Sequence, residues 1–169
     1  MLAERPRFAG AANHRMRIME LATLSPTIDG AKRGRKRKRG EPAVFVVDDD
    51  ESVRKGLCRL LRSSGYRAEG FASVADYLER GFAGQPHVLI LDVRMPGSGG
   101  LDLQRNLLSQ GIRKPIIFVT AYDDARARAE AMKRGAIAFL RKPVDEQTLL
   151  RAIRGGISSF DWGEKDFDV

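Results

Sequence analysis

One cysteine, Cys58, and two well-separated histidines, His14 and His87, are all the Cys and His in 169 residues. That scarcity excludes a disulfide framework within the chain and a zinc centre built from Cys and His. It fits a reducing compartment. Also missing is any run close to the roughly 20 apolar residues that a membrane-spanning helix needs. The N-terminus lacks the apolar stretch of a signal peptide, because Arg5, Arg7, Arg15, Arg17 and Glu20 interrupt it. The expected location is the cytoplasm, with no membrane partner.

Acidic side chains are scarce in one region only. Residues 1–41 carry 11 Lys and Arg against 4 Asp and Glu, whereas the remainder is nearly balanced at 19 against 18. Within the first region, Lys32 to Arg39 hold seven positive charges, no acid and no large apolar residue. Such a run repels itself and has nothing to bury, so residues 1–41 are expected to form a basic, disordered arm. Its charge allows salt-sensitive nucleic-acid binding through Lys32–Arg39, although no aromatic residue interleaves the run. A solvated linker, or a leader preceding a start at Met16 or Met19, is the competing reading. From Pro42 the composition supports one domain with its own core, expected over residues 42–158, followed by an acidic tail over 159–169.

In that domain, short apolar runs alternate with stretches of helical period. The runs are Ala43 to Val47, Tyr66 to Phe71, Val88 to Leu91, Pro115 to Val119 and Ile137 to Leu140. Several are apolar at consecutive positions, as a strand covered on both faces requires. Between them, Val53, Leu57, Leu60 and Leu61 share a helical face, as do Val74, Tyr77 and Leu78, then Leu101, Leu107 and Leu108, and finally Leu149, Leu150, Ile153 and Ile157. Asp124 to Arg134 is also helical in character and stops at Gly135, but its apolar residues are alanines apart from Met132, so it should dock weakly. Five βα units with right-handed crossovers make a doubly wound parallel sheet, for which 2-1-3-4-5 is a common strand order.

Ligands of such sheets bind outside the carboxyl ends of the strands. The first strand ends in Asp48-Asp49-Asp50-Glu51, the third in Asp92, the fourth in Thr120, and Lys142-Pro143 follows the fifth. Bringing Asp48, Asp49 and Asp92 together costs roughly 4 kcal/mol per close pair at an effective dielectric of 20. A hard divalent cation offsets that repulsion, and carboxylate oxygens with room for water favour Mg²⁺. The competing reading takes Asp49, Asp50 and Glu51 as charges at a helix N-terminus, and their coincidence with Asp92, Thr120 and Lys142 on one rim outweighs it. Gly97-Ser98-Gly99-Gly100 lacks the spacing and lysine of a P-loop and reads as a turn. His87 precedes the third strand, far from the rim. Cys58 reads as a small core or boundary residue.

The motifs Val46-Val47-Asp48-Asp49-Asp50, Leu91-Asp92-Val93-Arg94-Met95-Pro96-Gly97, Val119-Thr120-Ala121 and Arg141-Lys142-Pro143 resemble the receiver domain of two-component response regulators. The wording, with Arg94 after Val93 and Val53-Arg54-Lys55 on the first helix, is most similar to the subgroup with LuxR-type output. The resemblance implies a flavodoxin-like (βα)5 fold with a cis Lys142–Pro143 bond. It implies Asp92 as phosphoacceptor, with Thr120 and Lys142 holding phosphoryl oxygens. It assigns Mg²⁺ to Asp48, Asp49, Asp92 and the carbonyl of Arg94, and a switch to Thr120 and Phe139. The implied partners are a sensor histidine kinase or phosphotransfer protein and a downstream protein. A homodimer through the fourth helix, fifth strand and fifth helix is the further option. Such a protein assists its own phosphorylation and dephosphorylation without being an enzyme.

Two alternatives accompany this reading. Thr120 at a strand end also suits a helix cap, and Phe139 in a final strand also suits plain packing. A phosphatase of the haloacid-dehalogenase type uses similar residues but needs a second aspartate two positions after the nucleophile, where this chain has Arg94. After Ile157 too few residues remain for a helix-turn-helix of about 60 residues, so any DNA-binding output is expected to come from elsewhere. Trp162 and Phe167 in the tail offer a docking contact, with a frayed terminus as the alternative.

Overall fold

The computed structural model describes residues 43–80 and 87–160. The basic arm, including Lys32–Arg39, and residues 161–169 of the acidic tail lie outside the described residues, so the expectations placed on them stand as expectations. The described chain runs β1 (Ala43–Val47), α1 (Glu51–Ser63), β2 (Ala68–Phe71), α2 (Val74–Glu79), β3 (His87–Leu91), α3 (Gly100–Ser109), β4 (Ile116–Thr120), α4 (Ala125–Lys133), β5 (Ala138–Arg141) and α5 (Glu146–Ser159). All strand pairs are parallel, and the order is 2-1-3-4-5. This is the flavodoxin-like arrangement, and no helix among the described residues is long and apolar enough to cross a membrane.

The consecutive apolar residues of β1, β3 and β4 arise because alternate side chains enter two separate cores. Phe45, Val47, Leu89, Leu91 and Phe118 pack with Tyr77, Leu103, Leu107, Ala127 and Ala131, the buried faces of α2, α3 and α4. Val44, Val46, Val88, Ile90, Ile117 and Val119 pack with Leu57, Cys58, Leu61, Leu149 and Ile153 of α1 and α5. Cys58 is thus a core residue, and burial pushes its thiol upward. His87 is wholly buried at the start of β3, where its Nε2 lies 2.7 Å from the Tyr77 hydroxyl, at the opposite end of the strand from Asp92.

The start of one strand differs from the sequence reading for a local reason, and one helix docks as narrowly as its alanines imply. Strand β2 begins at Ala68 rather than Tyr66, because the Tyr66 amide turns back to the Leu61 carbonyl at 3.0 Å and closes the end of α1. Helix α4 is anchored by only two of its alanines, Ala127 and Ala131, while Ala125 and Ala129 face outward and Met132 is 44% exposed.

Helix α3 comes unusually close to the sheet. A Cβ on Gly100 would sit 2.3 Å from the Asp92 carbonyl oxygen and 3.0 Å from both Leu91 and Phe118. The Gly100 amide itself donates to that carbonyl at 3.1 Å, so this glycine ties the helix to the end of β3. Gly100→Ala must push α3 away from backbone atoms that cannot yield. It should lower stability by about 3 kcal/mol, at the upper end of ordinary overpacking. Urea unfolding of the two proteins checks this.

Candidate functional site

Parallel pairing of β1 with β3 in the register Val47↔Leu91 places the residues that follow, Asp48 and Asp92, on adjacent strand ends. Parallel pairing of β4 with β5 sets Thr120 opposite Arg141, so Lys142 leaves the sheet one residue beyond Thr120. The Lys142 amide donates to the Thr120 carbonyl at 2.8 Å, and the peptide bond to Pro143 is cis. The four strand ends read from the sequence as one rim therefore meet.

At the centre, the Lys142 ammonium lies 2.7 Å from Asp48 Oδ2 and 2.8 Å from Asp92 Oδ2. All three side chains are largely withdrawn from water, at 15, 2 and 10% exposure in that order, so the contacts are screened far less than a surface pair. Burial raises the Asp48 carboxyl above its ordinary value, against the opposing pull of Lys142 and of the Asp50 amide. Burial also pulls the Lys142 ammonium downward, but its bonds to Asp48 and Asp92 outweigh that and hold it above its ordinary value. Asp49 is exposed beside this pair, and one carboxylate oxygen from each of Asp48, Asp49 and Asp92 lies within 4.8 Å of the others. Three oxygen donors that close suit a hard divalent cation. The cluster is therefore able to hold a metal.

Asp50 stands apart from the cluster despite its place in the acidic run. Its Oδ1 accepts the Ser52 and Val53 amides at 2.8 and 3.1 Å and caps α1. Its own amide donates to Asp48 Oδ1 at 3.0 Å. Thr120 is buried at the end of β4, and its hydroxyl receives the Tyr122 amide at a long 3.4 Å. The Arg94 amide donates to Asp92 Oδ1 at 3.2 Å, which turns the loop after β3 back over the acid.

The guanidinium contacts were not marked by sequence pattern. Arg94 pairs with Asp124 at 3.6 Å and stacks 4.6 Å from the Tyr122 ring, joining the β3–α3 loop to the β4–α4 loop. Arg128 donates to the Phe139 carbonyl at 3.0 Å and lies 4.9 Å over its ring. Phe139 itself is in the core, 5.9 Å from the Phe118 ring centroid. Arg128 covers the ring in this buried position. Arg54 reaches the carbonyls of Asp48 and Asp49. The available signal was spacing, because Arg54 follows the capping Asp50 by one helical turn and long side chains lean toward the helix N-terminus.

These separate environments predict a division between neighbouring acids. Asp50→Ala should lower stability by about 1 kcal/mol through loss of the cap and leave divalent-cation binding within twofold of the parent. Asp49→Ala should do the reverse, weakening Mg²⁺ at least tenfold with little change in stability. Urea unfolding and Mg²⁺ titration of both variants test the assignment.

Comparison with known proteins agrees with this geometry. The response regulator receiver domain matches residues 44–154, more than half of the chain. The transcriptional regulatory protein TdiR of Thauera aromatica is 43% identical over 115 residues, covering 68% of this chain and 51% of TdiR. The transcriptional regulatory protein FixJ of Azorhizobium caulinodans is 39% identical over 114 residues, covering 68% of this chain and 54% of FixJ. The chain thus spans about half the length of these curated relatives. Among solved structures, the response regulator StyR superposes with a TM-score of 0.66 at 48% identity, covering 70% of this chain and 60% of that one. The structure titled FixJ-N gives a TM-score of 0.66 at 34% identity, covering 72% of this chain and 97% of that one. With the fold, the rim of carboxylates and these relatives in agreement, the chain belongs to the response regulator receiver family.

Proposed function

We propose that the protein is a phosphorylatable switch that takes a phosphoryl group onto Asp92 from a phosphohistidine of a sensor kinase or phosphotransfer protein. The observation that carries this reading is the Lys142 ammonium bridging Asp48 and Asp92 beside a cluster of carboxylate oxygens. A carboxylate oxygen of Asp92 attacks phosphorus, the P–N bond breaks, and its electron pair returns to the imidazole. The product is an acyl phosphate. Phosphoryl transfer asks the protein for alignment and for charge to balance the equatorial oxygens. Lys142 supplies one such charge, and the Thr120 hydroxyl donates to a phosphoryl oxygen. Asp48, Asp49, Asp92 and the Arg94 carbonyl would hold Mg²⁺, which when bound adds positive charge against the same oxygens.

The same chemistry serves regulation rather than turnover of a substrate. Position 94, where a phosphatase of the haloacid-dehalogenase type needs a carboxylate, carries a guanidinium turned to Tyr122 and Asp124. The switch runs from Thr120 to α4 and Phe139. Drawing Thr120 toward a phosphoryl group displaces the loop before α4, and the Arg128 bond to the Phe139 carbonyl carries that shift to β5. Moving a population from 1:99 to 99:1 takes about 5.5 kcal/mol, within reach of several charge-assisted hydrogen bonds. The face of α4, β5 and α5 is the surface whose affinity for a partner protein, or for a second copy, changes.

Incubation of the protein with acetyl phosphate and Mg²⁺ should add one phosphoryl group by intact mass. Asp92→Asn should abolish it, and persistent labelling of that variant at an acid-stable site would refute the assignment. Thr120→Ala should still accept the group at Asp92 but lose the accompanying change in self-association, read by analytical ultracentrifugation with and without acetyl phosphate. If Thr120→Ala shifts as fully as the parent, the coupling does not pass through Thr120.

A further inference from the structure

Three acids in succession, Asp48, Asp49 and Asp50, form the turn from β1 to α1, and their mutual repulsion favours splaying that turn apart. Three hydrogen bonds made by Asp50 oppose this. The Asp50 amide donates to Asp48 Oδ1, and Asp50 caps the helix. The first holds only the N–H side of the Asp49–Asp50 peptide, and none of them holds the carbonyls on either side of the Asp49 Cα.

Arg54 does. It stands one helical turn after Asp50, its amide donates to the Asp50 carbonyl at 2.9 Å, and its side chain runs back toward the N-terminus of α1. Its Nη1 donates to the Asp48 carbonyl at 2.6 Å and to the Asp49 carbonyl at 3.3 Å. One guanidinium nitrogen thus holds the two successive carbonyls that flank Cα of Asp49. The bonds go to backbone oxygens, so Arg54 itself occupies no carboxylate oxygen of the cluster.

The path of that side chain is set by β2. A Cβ on Gly70 would lie 2.8 Å from Arg54 Cγ, closer than real carbon atoms approach, and a tight 3.2 Å from Cδ, so the Arg54 stem would have to shift. Glycine at position 70 is the opening through which the Arg54 stem reaches the acidic turn. A residue of the edge strand, remote from the chemistry, so controls where the guanidinium sits.

We infer that Arg54 is a positioning residue for the cation site, fixing the peptide groups of Asp48 and Asp49 so that their carboxylates are already arranged when Mg²⁺ arrives, with Gly70 giving its side chain passage. The inference rests on the proposed Mg²⁺-dependent phosphorylation and names what prepares that site for it. Preorganisation of this kind acts on affinity for the cation more than on the reaction once the cation is bound.

The test uses the full chain and four variants: Arg54→Met, which keeps the stem and removes the donors, Arg54→Lys, Gly70→Ala and the double variant Arg54→Met with Gly70→Ala. Mg²⁺ affinity is read by isothermal titration, and the exchange rate of the Asp50 amide hydrogen is read by NMR without metal. The phosphorylation rate is read with acetyl phosphate at saturating Mg²⁺. Arg54→Met should weaken Mg²⁺ at least fivefold and speed Asp50 amide exchange, while the rate at saturating Mg²⁺ stays within twofold of the parent. Arg54→Lys should retain part of the affinity through a single donor. Gly70→Ala should weaken Mg²⁺ in the same direction, and the double variant should be no weaker than Arg54→Met alone, because the two changes remove the same tether. Affinity within twofold of the parent in Arg54→Met, or a full additional loss from Gly70→Ala in the double variant, overturns the inference. If Arg54→Met fails to fold, Arg54→Lys and Gly70→Ala decide by the same affinity and exchange readings. If the parent itself neither binds Mg²⁺ nor accepts a phosphoryl group, the proposed function fails. Amide exchange in the metal-free variants then still decides whether Arg54 holds the turn.

Discussion

Everything at the rim depends on one cation placed between two acids. Adjacent parallel strands lie close to 4.8 Å apart, so the register of β1 with β3 forces Asp48 and Asp92 toward each other whatever their charge. The Lys142 ammonium relieves that conflict, and it is delivered from β5, across the end of β4. The bond from its amide to the Thr120 carbonyl fixes where the side chain begins. The strand order is therefore part of the electrostatics, since only a lysine leaving the far side of β4 bridges both acids over the tip of that strand.

This bridge also makes the site responsive. With Asp48 and Lys142 both moved upward from their ordinary values, the buried group is balanced between desolvation and attraction rather than locked by attraction alone. On the proposed function, an arriving group that brings its own charge would redistribute the ammonium's contacts instead of opening a closed pair. Breaking a buried pair by removing one member is costly, whereas exchanging one partner for another of equal charge is not.

Much of this was legible in the sequence because the strands are buried on both faces. Runs such as Val44 to Val47 and Ile116 to Val119 have no polar interruption, so their ends, and hence Asp48, Thr120 and Asp92, fall at definite places. Lys142 followed from the short interval after Leu140. The edge strand was less distinct because it carries Glu69 and Gly70 and is buried fully only at Phe71. The positions of Arg54, Arg94 and Arg128 were not legible. An arginine on a helix or loop has the pattern of a solvated face, and here its partners are backbone carbonyls, a ring and a cap, none of which leaves a periodic mark.

Helix α4 buries only two methyl groups in the domain, those of Ala127 and Ala131, and is tied further by the Gln104 amide donating to the Ala131 carbonyl at 3.1 Å and by Arg128 on Phe139. Folding consequently constrains one narrow stripe of that helix. Residues such as Arg126, Ala129, Met132 and Lys133 face outward and are under little obligation to the core. A lineage of such proteins can rewrite this surface one substitution at a time, exploring new binding preferences, while the strands and the acidic rim beneath stay as they are.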